Sequence, residues 1–395
     1  MNLLSAILPA TFALASCNSA PAGDNPPPPA AADSTSAQGQ SGAPFTIEAM
    51  GTYDEPWAMA FVPGTEVLVL TGKKGELFAR DGQGNAITIT GAPQVDYGGQ
   101  GGLGDIAFLQ SEAASTLTPR TIYLTWAEAG EADTRGAALG RGQMVCTSAT
   151  SCEIRGLETI WRQRPKVTGR GHYSHRIAFA DDEQYLWLAS GERQKMEPAQ
   201  DLSNTLGTVL RLMPDGSAAP GNPFADRGSP SDQIWSYGHR NTLGLAFDPQ
   251  GRLWNLEHGP AGGDELNLIE RGQNYGWPVV SNGKHYDGRP IPDHSTRPEF
   301  EKPAISWNPV IAPGDMIFYT GDMFPEWKGQ VLIAAMKPAA LVRVAIDGES
   351  AREVARYPMD RRIRSIEQGP DGAIWLIEDA KNTSSPRLLR LTPTR

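Results

Sequence analysis

Six segments of the chain repeat one pattern of apolar and polar positions: a small or apolar residue, an aromatic, a turn built on Pro or Gly, then a short apolar run that often carries Trp. The copies read PWAMAFVPGTEVLVLTG around Phe61, GLGDIAFLQ with TIYLTWAEAG around Phe108, and HRIAFADDEQYLWLASGE around Phe179. They continue as TLGLAFDPQGRLWNLEHG around Phe247, GDMIFYTGDMFPEWKGQVLIAAM around Phe318, and RSIEQGPDGAIWLIED, where Gln368 takes the aromatic place. These positions lie 47, 71, 68, 71 and 50 residues apart, and each interval holds one four-stranded sheet with its loops. Alternation inside a copy, as in Leu253-Trp254-Asn255-Leu256-Glu257, has the two-residue period of a strand, and no window sustains the 3.6-residue stripe of a long helix. The pattern predicts an all-β fold, a six-bladed β-propeller of four-stranded antiparallel blades over residues 45–395. Radial packing leaves short edges and a central channel, where ligands usually sit. A pair of β-sandwiches would not explain six copies.

Composition agrees. With 43 Gly and 32 Pro in 395 residues the chain is too rich in turn formers for a helical bundle, and 39% hydrophobic residues are too many for disorder. A net charge of −10 argues against nucleic acid as a partner, because that affinity comes from clustered Lys and Arg. No apolar run reaches the roughly 18 residues of a membrane helix.

The first residues read as an address rather than as structure. MNLLSAILPATFALAS is a short apolar stretch ending in small residues before Cys17, and Leu14-Ala15-Ser16-Cys17 resembles a bacterial lipobox, whose Cys receives lipid. No Lys or Arg precedes the stretch and Pro9 interrupts it, so an ordinary secretory signal is the other reading. Residues 1–17 are thus expected to be a lipoprotein-type signal. Residues 18–44, rich in Pro, Ala and Ser, are expected to be a flexible tether. This organisation predicts a protein on the periplasmic side of a bacterial membrane, touching it only through the lipid, or else soluble in the periplasm or secreted. Cys146 and Cys152, with five residues between them, are too few for a zinc site; they are expected to form a small disulfide loop, two free thiols being the other reading.

Five segments are too polar to be only punctuation. The Gly-rich run 98–105 lacks the Lys and Ser/Thr of a phosphate loop; its glycines let backbone approach a flat ligand, to which Gln100 offers an amide. GHYSHR, just before a predicted inner strand, sets His172 at the channel mouth, where an imidazole can take a proton from a hydroxyl or simply hold a loop. In YGHRN, Arg240 and Asn241 can polarise a carbonyl or satisfy loop carbonyls. EHGPAGGDE followed by NYGWP joins carboxylates to a Gly-Pro turn with free carbonyls, a donor set suited to calcium although without EF-hand spacing. Lys337, Arg362 and Arg364, at strand mouths of late blades, would converge on an anionic ligand.

Together these segments resemble the soluble dehydrogenases of the glucose and sorbosone dehydrogenase family that depend on pyrroloquinoline quinone (PQQ). The likeness covers nearly all of residues 50–393, with EHGPAGGDELNLIERGQNYGWP the most specific element and PWAMAF, GQGG, HYSHR, AQDLSNTLGTVLRL, IWSYGHRN and RIRSIEQGPDG in support. It implies a six-bladed propeller that holds a tricarboxylated ortho-quinone over the channel with calcium. It implies His172 as general base, Arg240 and Asn241 at the quinone carbonyls, Gln100 at the cofactor edge, and Lys337, Arg362 and Arg364 on its carboxylates. The Gly259 and Pro260 carbonyls would hold the cofactor calcium, and Glu265 with the Tyr275 carbonyl a second, structural one. Gln194 is a candidate substrate contact. The chain departs from the pattern at Gly171, where some members carry Asp, at His175, bulkier than the small residue expected, and at Thr208, which replaces a frequent Lys. The expected activity is oxidation of aldoses at the anomeric carbon to lactones, with hydride passing to the quinone and then to an external acceptor, a quinone or a redox protein. Two rivals are a calcium-dependent lactonase, which needs a carboxylate-ringed metal in the channel, and a non-catalytic binding propeller, which would lack His172 or the Arg240-Asn241 pair.

Overall fold

A computed structural model describes residues 42–381 and 383–394. The expected signal, with Cys17, and all but the last three residues of the expected tether lie outside them. Among the described residues the elements are strands and short 3₁₀ turns, so the fold is all-β.

Each of the six sequence copies forms a six-residue strand: Pro56–Phe61, Leu103–Phe108, Ser174–Phe179, Thr242–Phe247, Pro313–Phe318 and Ile363–Gln368. Every one ends on the residue that marks its copy; a turn with Pro or Gly follows at Phe61, Phe247, Phe318 and Gln368, and segments without either follow at Phe108 and Phe179. These six inner strands neighbour one another in chain order, and the last lies against the first, which closes the ring. Each also shows a register shift against its second strand near its start. Bulges of this kind re-aim side chains at the rim of a sheet.

Four antiparallel sheets have four strands each. The last of them takes Phe45–Thr52 from the beginning of the described chain and pairs it with Arg387–Pro393 from the end, so that one ladder clasps the ring. The first two copies depart from the expected separate sheets, because they share one eight-stranded sheet. The reason is the long hairpin Arg135–Ser148 and Ser151–Arg162, whose far end reaches the neighbouring strand Ala86–Thr90 and pairs with it in parallel at Thr88–Thr90. Cys146 and Cys152 face each other across that hairpin and are joined by a disulfide.

The core lies between the sheets. Trp57, Leu103, Ile106, Ile122, Leu124 and Trp126 fill one seam, and Tyr53, Met59, Leu70, Trp375, Ile377 and Leu388 fill the seam that closes the ring. All five residues of Leu253–Glu257 are therefore buried, and the polar half of the alternation is satisfied internally: Asn255 donates to Thr242 Oγ1 and accepts from Asn267.

Candidate active site

At one end of the ring a cavity of about 550 Å³ opens, lined by the first residues of the inner strands and by the residues just after the second strands. Lys73, His258, Met336 and Asp379 each directly follow a second strand, and all four line it. These residues open turns or loops, and the residues after them differ: Ala380 and Lys381 still line the cavity, whereas Lys74 and Lys337 do not. Lys337, one position beyond Met336 in the same turn, is exposed and absent from the lining. The expected convergence of three cations is corrected: Arg362 and Arg364 reach the cavity, Lys337 does not line it, and Lys73 and Lys381 do. Burial holds the Lys73 ammonium below its usual pKa. Neither arginine is free, since Arg362 Nε donates to Asp379 Oδ1 and Arg364 Nε to Oδ2, both at 2.9 Å. Burial alone would raise the Asp379 pKa; the two guanidinium groups outweigh it and draw it down to about 2.

Gln100 and Asn241 also line the cavity. Their side-chain oxygens are occupied, Gln100 Oε1 by the His172 backbone N–H at 2.7 Å and Asn241 Oδ1 by that of Ser174 at 3.2 Å. Among the described residues their amide NH₂ groups have no protein acceptor. The cavity wall thus presents ammonium, guanidinium and amide donors, a surface made for a ligand rich in acceptor oxygens.

The HYSHR loop is held in an unusual shape. His172, Ser174 and His175 all have positive φ (49°, 65° and 80°), which costs on the order of 1–3 kcal/mol for each such residue and concentrates at functional sites. The bonds that the His172 and Ser174 backbone N–H groups donate to Gln100 and Asn241, and Ser174 Oγ accepting from Thr242 N at 3.0 Å, keep it there. His172 Nδ1 is hydrogen-bonded to the carboxylate of Glu192, a fully buried residue that the sequence reading did not single out. Glu192 Oε2 accepts from Met196 N at 2.7 Å, which orients the carboxylate. Burial lowers the His172 pKa below its usual value; Glu192 opposes this and Arg240 adds to it.

Arg240 stands beside a smaller cavity that it lines with Gly259, Glu257, Glu265, Tyr275 and Trp277. Its guanidinium donates to the His258 carbonyl at 3.1 Å and to Tyr286 Oη at 3.2 Å, over the face of Trp277. It is therefore outside the main lining, where Asn241 is. Among the described residues the Gly259 and Pro260 carbonyls accept no hydrogen bond, so both are available to a hard cation. Glu265 is buried, and desolvation together with the nearby Glu257 pushes its pKa well up. The Tyr275 carbonyl already has a partner, His294 Nε2 at 3.2 Å, and His294 Nδ1 lies 3.7 Å from Glu265 Oε1. An imidazole thus spans the two groups expected to share a structural calcium, and they do not form an open site.

Gln194 is exposed and outside the main lining, but it packs over Gly171. A Cβ on Gly171 would fall 2.4 Å from Gln194 Cδ, so Gln194 occupies the space an Asp at 171 would need. One residue further along the inner strands the channel is crossed by Arg176. It donates to Asp105 Oδ1 at 2.9 Å and to the Leu243 and Gly314 carbonyls at 2.7 Å, and it lies 3.3 Å from Asp315 Oδ2.

Comparison with known proteins adds a family. The sequence pattern described as glucose/sorbosone dehydrogenase matches residues 53–390. The chain is 36% identical over 346 residues to the aldose sugar dehydrogenase YliI of Escherichia coli K12, covering 86% of this chain and 90% of that one. A solved glucose dehydrogenase superposes with a TM-score of 0.81 at 35% identity, over 88% of this chain and 100% of the other. The PQQ-bound form of an aldose sugar dehydrogenase from Streptomyces coelicolor gives 0.68 at 26% identity, over 88% and 98%.

Proposed function

The chain belongs to the glucose/sorbosone dehydrogenase family, and on that premise we propose that it oxidises aldose sugars at the anomeric carbon to lactones, using PQQ and calcium. The observation that carries the reading is the donor-lined cavity: Lys73, Arg362, Arg364, Gln100 and Asn241 together suit a flat, tricarboxylated ligand. A bound quinone would supply the hydride acceptor and calcium the polarising charge, so the hard chemistry would be the cofactor's. The protein binds, orients and moves one proton. Glu192 holds His172 Nδ1, which leaves Nε2 to take the proton of the anomeric hydroxyl. Asn241 and Gln100 hold the loop that carries His172 while turning their NH₂ groups to the ligand. The Gly259 and Pro260 carbonyls would hold the cofactor calcium. A second calcium is not part of the proposal, because His294 takes the Tyr275 carbonyl.

We read the eight-stranded sheet as two blades joined at their outer strands, which gives six blades in the ring. The lactonase reading is disfavoured, since the channel carboxylates Asp105 and Asp315 are neutralised by Arg176 rather than left for a metal. The binding-module reading does not account for the buried His172–Glu192 pair.

The test is titration of the apoprotein with PQQ in the presence of calcium. Tight binding and dye-linked aldose oxidation are expected, and Arg364→Gln is expected to weaken binding about 10–150-fold, the worth of one charge-assisted hydrogen bond. Wild-type protein that binds no quinone would end this reading. The electron acceptor is proposed to be a small quinone or redox protein reaching the open mouth.

Leu14-Ala15-Ser16-Cys17 supports a further proposal, attachment to a bacterial membrane from its periplasmic side. Cys17→Ala should move the protein from the membrane to the soluble fraction with specific activity unchanged, and equal membrane association of the variant would refute the anchor.

A further inference from the structure

Asp264, in the segment EHGPAGGDE, has no part in the mechanism above, yet its carboxylate is tied to the turn proposed to hold calcium. It is 1% exposed, and backbone already engages both of its oxygens: Oδ1 accepts from Gly259 N at 2.9 Å and Oδ2 from Ala312 N at 2.6 Å. Three successive peptide units make up the turn. The first joins His258 to Gly259 and is gripped on both edges, its carbonyl accepting from Arg240 at 3.1 Å and its N–H donating to Asp264. The third joins Pro260 to Ala261, and its N–H donates to the Lys284 carbonyl at 3.0 Å. In a planar trans peptide the carbonyl points away from the N–H, so the Pro260 oxygen is turned away from Lys284. The middle unit joins Gly259 to Pro260 and has no N–H of its own to be held by. Its direction is set by the two pinned units on either side. Close packing adds to this, since a Cβ on Gly259 would fall 2.2 Å from the Gly262 and Gly263 carbonyl oxygens. Two carbonyls without partners among the described residues are thus held in fixed directions, as a hard cation requires. The second oxygen of Asp264 reaches across to the segment before the inner strand Pro313–Phe318. There the Ala312 carbonyl accepts from Met336 N at 3.0 Å, and Met336 lines the main cavity.

We propose that Asp264 is a positioning residue for the cofactor calcium, which forms the Gly259–Pro260 turn in advance and fixes it against the wall of the main cavity. It acts through the turn rather than as a ligand. The inference rests on the PQQ and calcium reading above.

Two measurements test it, and neither reads turnover. In the first, apo wild type and Asp264→Asn, each with a fixed excess of PQQ, are titrated with calcium in a calorimeter. Asparagine keeps the shape, replaces one acceptor oxygen by NH₂ and removes the charge. Groups that orient metal ligands typically change metal affinity 10- to 100-fold when replaced, so the variant is expected to bind calcium about 10–100 times more weakly. Denaturant unfolding without calcium is run alongside. A variant that is less stable than wild type but binds calcium equally well would overturn the proposal, because Asp264 would then serve the fold alone. The second measurement uses only wild type and so stands even if Asp264→Asn fails to fold: hydrogen exchange at the Gly259 and Ala312 amides, without calcium or quinone. Both are expected to be protected, since the carboxylate holds them before any metal arrives. Amides that exchange freely until calcium and PQQ are added would show that the ligands form the turn, and would overturn the proposal. A wild type whose quinone uptake does not depend on calcium would overturn the calcium reading, and this inference with it. Calcium-dependent uptake that is equal in wild type and variant would overturn the inference and leave that reading standing.

Discussion

His172→Gln is expected to lower the turnover of the quinone-loaded protein about 10²–10⁴-fold, the range for loss of a general base, while quinone affinity stays nearly unchanged. Glutamine preserves much of the side chain's volume and polarity but cannot take up a proton near neutrality. The bond to Glu192 fixes which ring nitrogen does the work, because Nδ1 is engaged and Nε2 has no protein partner among the described residues. Burial favours the neutral ring, and so does the charge of Arg240; Glu192 pulls the other way without reversing the direction, so the pKa lies below the ordinary 6.5. The sign follows. The active form is the unprotonated one, and a lowered pKa keeps it unprotonated further into acid. The acid limb of kcat/KM is therefore expected below pH 6.5 in wild type. Full turnover in His172→Gln would show that His172 only holds a loop, and an acid limb above 6.5 would show that another group titrates.

The ring of inner strands was legible because five of the six copies end on Phe and four of the six run straight into a Pro/Gly turn, and that punctuation is local. Phe61, Phe108, Phe179, Phe247, Phe318 and Gln368 each close a strand. The joining of the first two sheets was not legible, because it depends on how far the 135–162 hairpin reaches, which no turn signal encodes. The site residues divide in the same way. Gln100, Asn241, Arg362 and Arg364 stand near strand mouths and line the cavity, and His172 stands beside the lining residue Tyr173 without lining it. Lys337 shows the limit: a place just after a strand did not bring it to the cavity, which Met336 lines instead. Strand-end position could have pointed to Lys73, directly after the strand Leu68–Gly72, and to Asp379, directly after Ile374–Glu378. Glu192 lies one residue beyond Gly191 and could be joined to His172 only through the fold, since the two belong to different loops brought together by the bond from Gly191 N to the Tyr173 carbonyl.

Arg176→Met is expected to be the most destabilising single change in the channel, by about 3–5 kcal/mol at neutral pH, because it removes the cation between two buried carboxylates and leaves them uncompensated. Asp105 and Asp315 each hold other bonds, from Ile177 N and Ser365 Oγ, so neither can turn away to water. Burial already raises the Asp315 pKa to about 6 even though Arg176 opposes it, and without Arg176 it must rise further. A carboxyl whose folded pKa is above its unfolded 3.8 binds more protons folded than unfolded across that interval, so stability falls as pH rises through it. The loss in Arg176→Met should therefore be largest near pH 7 and shrink toward pH 4. Denaturant unfolding of wild type and variant at pH 7.5 and pH 5 measures both the size and the slope, and adding Asp105→Asn with Asp315→Asn to the variant should recover much of the loss. A loss below about 1 kcal/mol, typical of a surface pair, with no dependence on pH would show that the channel carboxylates do not need this cation. Function should suffer with stability. The Arg176 guanidinium lies 4.4 Å from the ring of Trp57, which lines the cavity and meets His175 edge-on, so the floor of the proposed quinone site rests on this one arginine.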